Sequence, residues 1–141
     1  MSKNEDIIEN LFIENGFAYK KQVSVPIENF PWKTERTKHS PRVDFYLEAT
    51  NIYIEVKGFM TIEAMSKMAF LCKQDFPYYI FQVTEKDWLG LSEKDSINYQ
   101  FSELMNTENK TDLSSISYAR LKQFIGKKAE IYQSWVGDSL L

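Results

Sequence analysis

The chain has a single cysteine, Cys72, and that scarcity excludes both an internal disulfide and a multi-cysteine zinc site. It suits a reducing compartment. Basic residues are not in excess either: the net charge of −3 does not advertise a nucleic-acid binder. No apolar run approaches the roughly 20 residues needed to cross a bilayer. The opening MSKNEDIIEN carries acids where a signal peptide would carry a basic region and a long apolar run. Repeats and low-complexity tracts are missing. The expectation is a soluble, intracellular protein with no membrane partner, located in the cytoplasm.

What is present points to a packed globule. Hydrophobic residues make up 43% and aromatics 15% of 141 residues, enough for one domain with a real core. In NEDIIENLFIEN (4–15), Ile7, Ile8, Leu11 and Phe12 share one helical face, and Gly16 is a natural stop. FAYKKQVSV alternates like a strand, and Pro26 to Pro41 reads as a long polar connection. Strands are expected over Arg42–Leu47 and Ile52–Lys57, joined by a turn at Glu48–Asn51. A helix follows over Thr61–Asp75, where Ile62, Met65, Ala69, Cys72 and Phe76 form a core stripe; Met65 and Cys72 there are filler. Pro77 breaks that helix, and the apolar YYIFQV is a buried central strand. Beyond Val83 the pattern fades: EKDWLGLSEKDS reads as loop, Tyr99 to Met105 as a helical turn, and SYARLKQFIGKKAEIYQSWV as a terminal helix weakened at Gly126. This order predicts an α/β sandwich around a small mixed sheet.

Within PRVDFYLEATNIYIEVKGF, three charges interrupt strand-forming stretches: Asp44, Glu55 and Lys57. Glu55 and Lys57 are two residues apart on one strand and project from one face. With Glu48–Asn51 as the turn, Asp44 falls opposite Glu55. Two carboxylates so placed are hard oxygen donors for Mg²⁺ or Mn²⁺. Such an ion generates hydroxide from bound water and neutralises charge on a phosphodiester, while a neighbouring lysine orients the water or stabilises the phosphorane-like charge. The plainer explanation is a sheet with one wet face, where Asp44 and Lys57 are ordinary cross-strand neighbours. Hairpin placement, Gly58 directly after the lysine, the following helix and the apolar strand favour the site.

These residues resemble the PD-(D/E)xK nuclease superfamily motif, with Asp44 as first acid and Glu55-Val56-Lys57 as its ExK. Val43 stands where the motif name has proline, with Pro41 nearby. Within the superfamily the chain is most similar to the phage endonuclease I type of Holliday junction resolvase, over about residues 4 to 84. Those proteins carry an N-terminal helix with a metal-binding glutamate, a closing glycine, a strand and the motif hairpin. NEDIIENLFIENGFAYKKQ followed by SVPIENFPW has that layout. The resemblance implies an α/β fold with a restriction-endonuclease-like core, a small mixed β-sheet flanked by helices. The whole chain, 1–141, would be one nuclease domain, with a C-terminal helical extension over about 85–141. It further implies a homodimer making symmetric cuts in branched DNA, with Mg²⁺ (or Mn²⁺) held by Asp44, Glu55, the Val56 carbonyl and Glu5. Lys57 would assist the attacking water. If phage-encoded, the protein would act in the host cytoplasm, and Pro26 to Pro41 would bridge subunits.

The helix glutamate has competitors. Glu5, Glu9 and Glu14 all lie on the first helix; the resemblance selects Glu5, whereas Ser2-Lys3-Asn4-Glu5 is also a capping box that would use Glu5 structurally. Lys20, Lys21, Lys33, Arg36, Lys38 and Arg42 lead into the motif and are the candidate DNA contacts, against the ordinary reading of a solvated loop. His39 reads as exposed or as a phosphate contact rather than as a catalytic base. Trp32, Trp88 and Trp135 read first as partly buried core and only then as base-stacking platforms. Two other functions stay open: a non-catalytic nucleic-acid- or protein-binding module on the same fold, and a restriction- or transposition-type nuclease of the superfamily.

Overall fold

The computed structural model describes residues 3–27, 30, 41–83 and 89–127. It is an α/β protein with a four-stranded mixed sheet and four helices. Helix α1 spans Lys3–Glu14; Ile8 and Phe12 are fully buried and Ile7 and Leu11 pack beside them. Gly16 takes a left-handed φ of +71°, which lets the Phe17 N–H return to the Phe12 carbonyl at 2.9 Å and ends the helix.

Strands β1 (Tyr19–Ser24), β2 (Arg42–Leu47), β3 (Ile52–Lys57) and β4 (Tyr78–Gln82) lie side by side in chain order. The first three form an antiparallel meander, and β4 runs parallel to β3. A parallel neighbour needs a crossover, supplied by α2 (Ile62–Cys72). Thr61 starts α2: its hydroxyl accepts from the Ala64 N–H at 3.1 Å. The helix stops at Cys72, short of the expected Asp75. Lys73 N–H bonds Phe70 O at 3.2 Å and Gln74 N–H bonds Leu71 O at 3.3 Å, a tightened last turn that ends the helix before Pro77 is reached.

Two cores sandwich the sheet. One face packs against α1 and α3 (Glu93–Asn106) through Ile8, Phe12, Phe45, Ile54, Phe81 and Phe101. The other packs against α2 and α4 (Asp112–Lys127) through Met65, Ala69, Tyr78, Ile80, Leu121 and Ile125. Ile27 and Phe30 join this second core, so the connection after β1 is not wholly polar. Arg120 of α4 forms a two-pronged ion pair with Glu103 of α3, its Nη2 2.6 Å from Oε2, and the Tyr79 hydroxyl donates to Glu103 at 2.8 Å.

Both later helices begin earlier than expected. Helix α3 begins inside the stretch read as loop, where the Ser92 hydroxyl accepts from the Asp95 N–H at 3.3 Å. Helix α4 begins at Asp112, ahead of the expected start at Ser117, and its expected continuation past Lys127 lies outside the described residues. Together they close the edge of β4. Tyr78 N–H donates to Ser114 Oγ at 2.9 Å, Ile80 N–H to Ser117 Oγ at 3.1 Å, and Gln82 N–H to Gln100 Oε1 at 2.9 Å. Every residue of β4 is buried, so without these side chains three backbone donors would be stranded. Among the described residues no helix is long and apolar enough to cross a membrane.

Candidate functional site

Asp44 sits where the sheet comes apart. β2 and β3 pair as Leu47↔Ile52, Tyr46↔Tyr53 and Phe45↔Ile54, and one further step along that register sets Asp44 against Glu55. The pairing ends at Phe45. Beyond it, Asp44 Oδ2 accepts the Val56 N–H at 2.7 Å, so a carboxylate fills the place of a backbone carbonyl. On the other side, β1 pairs Lys21 with Phe45 and Val23 with Val43, which sets Gln22 across from Asp44. Gln22 has φ +53°, a conformation that costs a non-glycine residue free energy and that clusters at functional sites. Its amide Nε2 stands 3.5 Å from Asp44 Oδ1. Strand alternation also breaks here: Val43 packs in the α2/α4 core and Phe45 in the α1/α3 core, although residues two apart on a regular strand share a face.

Three carboxyl groups from three elements meet at this break. Glu5 of α1 is hydrogen-bonded to Asp44, the charge of Glu55 of β3 acts on Asp44, and the charge of Glu5 acts on Glu55. Burial first, then the Glu5 hydrogen bond and the Glu55 charge, raise Asp44 to about 8, against the opposing pull of the Val56 N–H. A bond between two carboxyls requires a proton on one of them, so Asp44 and Glu5 titrate as a pair. Glu55, 9% exposed, is also raised, by burial first and by the charge of Glu5, while Lys57 pulls it down. Lys57 Nζ lies 3.1 Å from Glu55 Oε1.

The hydroxyl of Tyr78 is the buried side-chain oxygen that finds no hydrogen-bond partner among the described residues. Burial, followed by the charges of Glu55, Cys72 and Asp44, pushes this phenol well above its ordinary value. Cys72 itself is pushed up to about 12 by burial and stays a protonated core thiol. Neither Gln22 nor Tyr78 is flagged by the sequence: one reads as an exposed strand residue, the other as part of an apolar strand.

The other candidates separate clearly. Glu9 is engaged by β1; it accepts from the Tyr19 hydroxyl at 2.7 Å and from Lys21 Nζ at 3.2 Å. The Tyr19 bond chiefly, then Lys21, hold its carboxyl below the usual value against burial. Lys21 is thus engaged with Glu9, and Lys20 lies 3.7 Å from Glu48. Arg42 is exposed at the start of β2. Lys33, Arg36, Lys38, His39, Trp32, Trp88 and Trp135 lie outside the described residues, as does Ser2 of the alternative capping box.

Among the described residues no group of three or more Asp, Glu, His or Cys side chains is arranged to hold a metal ion. Glu5 and Asp44 are thus bonded and Glu55 interacts with them through charge, without the three being assembled around a common point. The donors still suit Mg²⁺, which keeps several waters and needs only one or two carboxylates. Asp44 and Glu55 supply these, and the Val56 carbonyl belongs to the same residue whose N–H meets Asp44. A divalent cation would also relieve the electrostatic cost that raises Asp44 and Glu55. None of the protein families, curated proteins or solved structures compared with this chain matches it.

Proposed function

We propose that the chain is a metal-dependent DNA endonuclease of the PD-(D/E)xK type, with a restriction-endonuclease-like core, acting on branched DNA as a homodimer. The observation that carries this reading is the meeting of Glu5, Asp44 and Glu55 at an interruption of the sheet, with Lys57 paired to Glu55. A stable fold gains little from clustering three acids there.

Asp44, Glu55 and the Val56 carbonyl would hold Mg²⁺, or Mn²⁺ in its place. When bound, such an ion lowers the pKa of a coordinated water and offsets charge on the phosphate. The chain's own residues do the rest. Val56 N–H fixes the direction of the Asp44 carboxylate. Glu5 holds or releases the proton it shares with Asp44. The Lys57 ammonium would orient the attacking water and stabilise charge on the phosphoryl oxygens. Arg42 and the basic residues of the 33–38 segment would contact the backbone phosphates; Lys20 and Lys21 would have to leave Glu48 and Glu9 to join them.

One observation favours a non-catalytic binding module instead: the Glu5–Asp44 hydrogen bond satisfies that pair without a cation. End-labelled four-way junction, nicked duplex and plain duplex DNA, each incubated with Mg²⁺ and with chelator, separate the two. Mg²⁺-dependent cleavage that is fastest on the junction supports the proposal. Binding without cleavage of any substrate supports the module. Equal cleavage of all three would keep the nuclease and remove the junction preference.

A further inference from the structure

Phe59 is 80% exposed, the most of any large hydrophobic residue described; Ile13, Tyr99, Met105 and Leu91 range from 58% down to 38%. A phenyl ring in water gains no burial energy, and isolated exposed apolar residues need no explanation in general. The mounting of this one is unusual. The preceding Gly58 carbonyl accepts from Gln82 Nε2 at 2.7 Å, and the Lys57 carbonyl accepts from the Val83 N–H at 2.8 Å. Gln82 is itself buried, and its backbone N–H and C=O are both bonded to the Gln100 amide, at 2.9 and 3.0 Å. Gln100 in turn donates to Ser96 Oγ at 2.9 Å. On the other side, Met60 is 4% exposed in the α2/α4 core and Thr61 caps α2. A single aromatic residue is thus held out between two anchored neighbours, two positions after Lys57.

We propose that Phe59 is a specificity-determining residue whose ring stacks on an unpaired base next to the scissile phosphate. This rests on the nuclease reading and narrows its substrate to DNA with an unstacked base at the cut, as branch points provide. A fixed platform suits that role, because the ring loses little backbone freedom on binding. Every base offers a π-face, so stacking selects for unpaired bases without selecting sequence.

The test is a binding cycle in chelator, so that no cleavage intrudes. Fluorescence anisotropy follows wild type, Phe59→Ala, Phe59→Trp and Phe59→Leu on a branched DNA with one unpaired base at the branch, and on the same DNA with that base replaced by an abasic residue. Unchanged Tm in all variants shows that the fold is intact. The expected result is about a tenfold loss for Phe59→Ala on the base-bearing DNA, with no further loss on the abasic DNA. Phe59→Trp retains binding and Phe59→Leu does not. Equal losses on both DNAs, no loss on either, or full binding by Phe59→Leu would overturn the proposal. So would failure of the wild type to bind either DNA. Wild-type binding with intact coupling but no cleavage in Mg²⁺ would remove the nuclease reading alone and leave base stacking standing.

Discussion

Asp44 takes the Val56 backbone N–H at 2.7 Å, a donor that the β2 backbone would accept in an unbroken ladder. The sheet therefore gives up a regular hydrogen bond at one position and gains a fixed carboxylate between two strands. That carboxylate shares a proton with Glu5 and feels the charge of Glu55. The chemistry proposed for the site depends on this geometry.

Its first consequence is a pH-dependent stability of reversed sign. The folded state raises Asp44 to about 8, above the ordinary carboxylate value near 3.9. Between those values the folded chain holds a proton that the unfolded chain has lost, so stability falls as pH rises through that window. Wild-type Tm measured in chelator should drop by several degrees between about pH 5 and about pH 9, a range chosen about the two values. Asn at this position still accepts from Val56 but cannot ionise. Asp44→Asn should therefore flatten the curve, leaving the residual slope due to Glu55, which is also raised. Parallel curves for wild type and variant would contradict the assignment.

Loss of the site should remove chemistry and leave DNA binding. Asp44→Asn, Glu55→Gln and Lys57→Ala are each expected to lower single-turnover cleavage in Mg²⁺ by at least about a hundredfold. Circular dichroism and junction affinity in chelator should stay close to wild type. Near-normal cleavage by any of the three would remove that residue from the site.

Glu5 and Glu9 are separated by their partners. Glu5 bonds Asp44, whereas Glu9 is occupied by Tyr19 and Lys21. Glu5→Gln should lower cleavage by about tenfold or more, with Glu9→Gln remaining within about twofold of wild type and losing a few degrees in Tm instead. The reverse ranking of activities would move the helix carboxylate to Glu9.

How much of the fold and site is legible in the sequence varies along the chain, for physical reasons. The β2–β3 hairpin is legible to the residue, because Ile52, Ile54 and Val56 alternate with Tyr53, Glu55 and Lys57, and Asn51 supplies the left-handed turn residue at φ +58°. The register that sets Asp44 against Glu55 follows from the same pattern. Helices α3 and α4 are legible in part: Tyr99–Met105 and the stretch from Ser117 read as helical, whereas the beginnings of both helices are hidden. Their buried positions there include Ser96 and Ser114, which fall outside the stretches read as helix because hydrophobic periodicity does not register buried polar side chains. Nor does a local pattern announce the left-handed Gln22, whose conformation goes with a gap in the β1–β2 pairing opposite Asp44, a residue distant in sequence.

That edge closure is itself testable. Ser117→Ala strands the buried Ile80 N–H and should cost about 1–3 kcal/mol in urea unfolding. Ser115→Ala, at an exposed position of α4 away from the edge donors, should be neutral. Equal effects would mean that the hydroxyl on β4 contributes nothing.

The most direct test of the central claim is calorimetric titration of Mn²⁺ into the protein at about pH 7 in two buffers of different ionisation enthalpy. Binding at Asp44 and Glu55 must displace the proton that Asp44 holds at this pH. Saturable binding with release of about one proton is predicted, declining as the pH is raised past that of Asp44 and lost in Asp44→Asn and Glu55→Gln. Absence of Mn²⁺ binding to the wild type, or binding that both variants retain, would contradict a metal site between these strands.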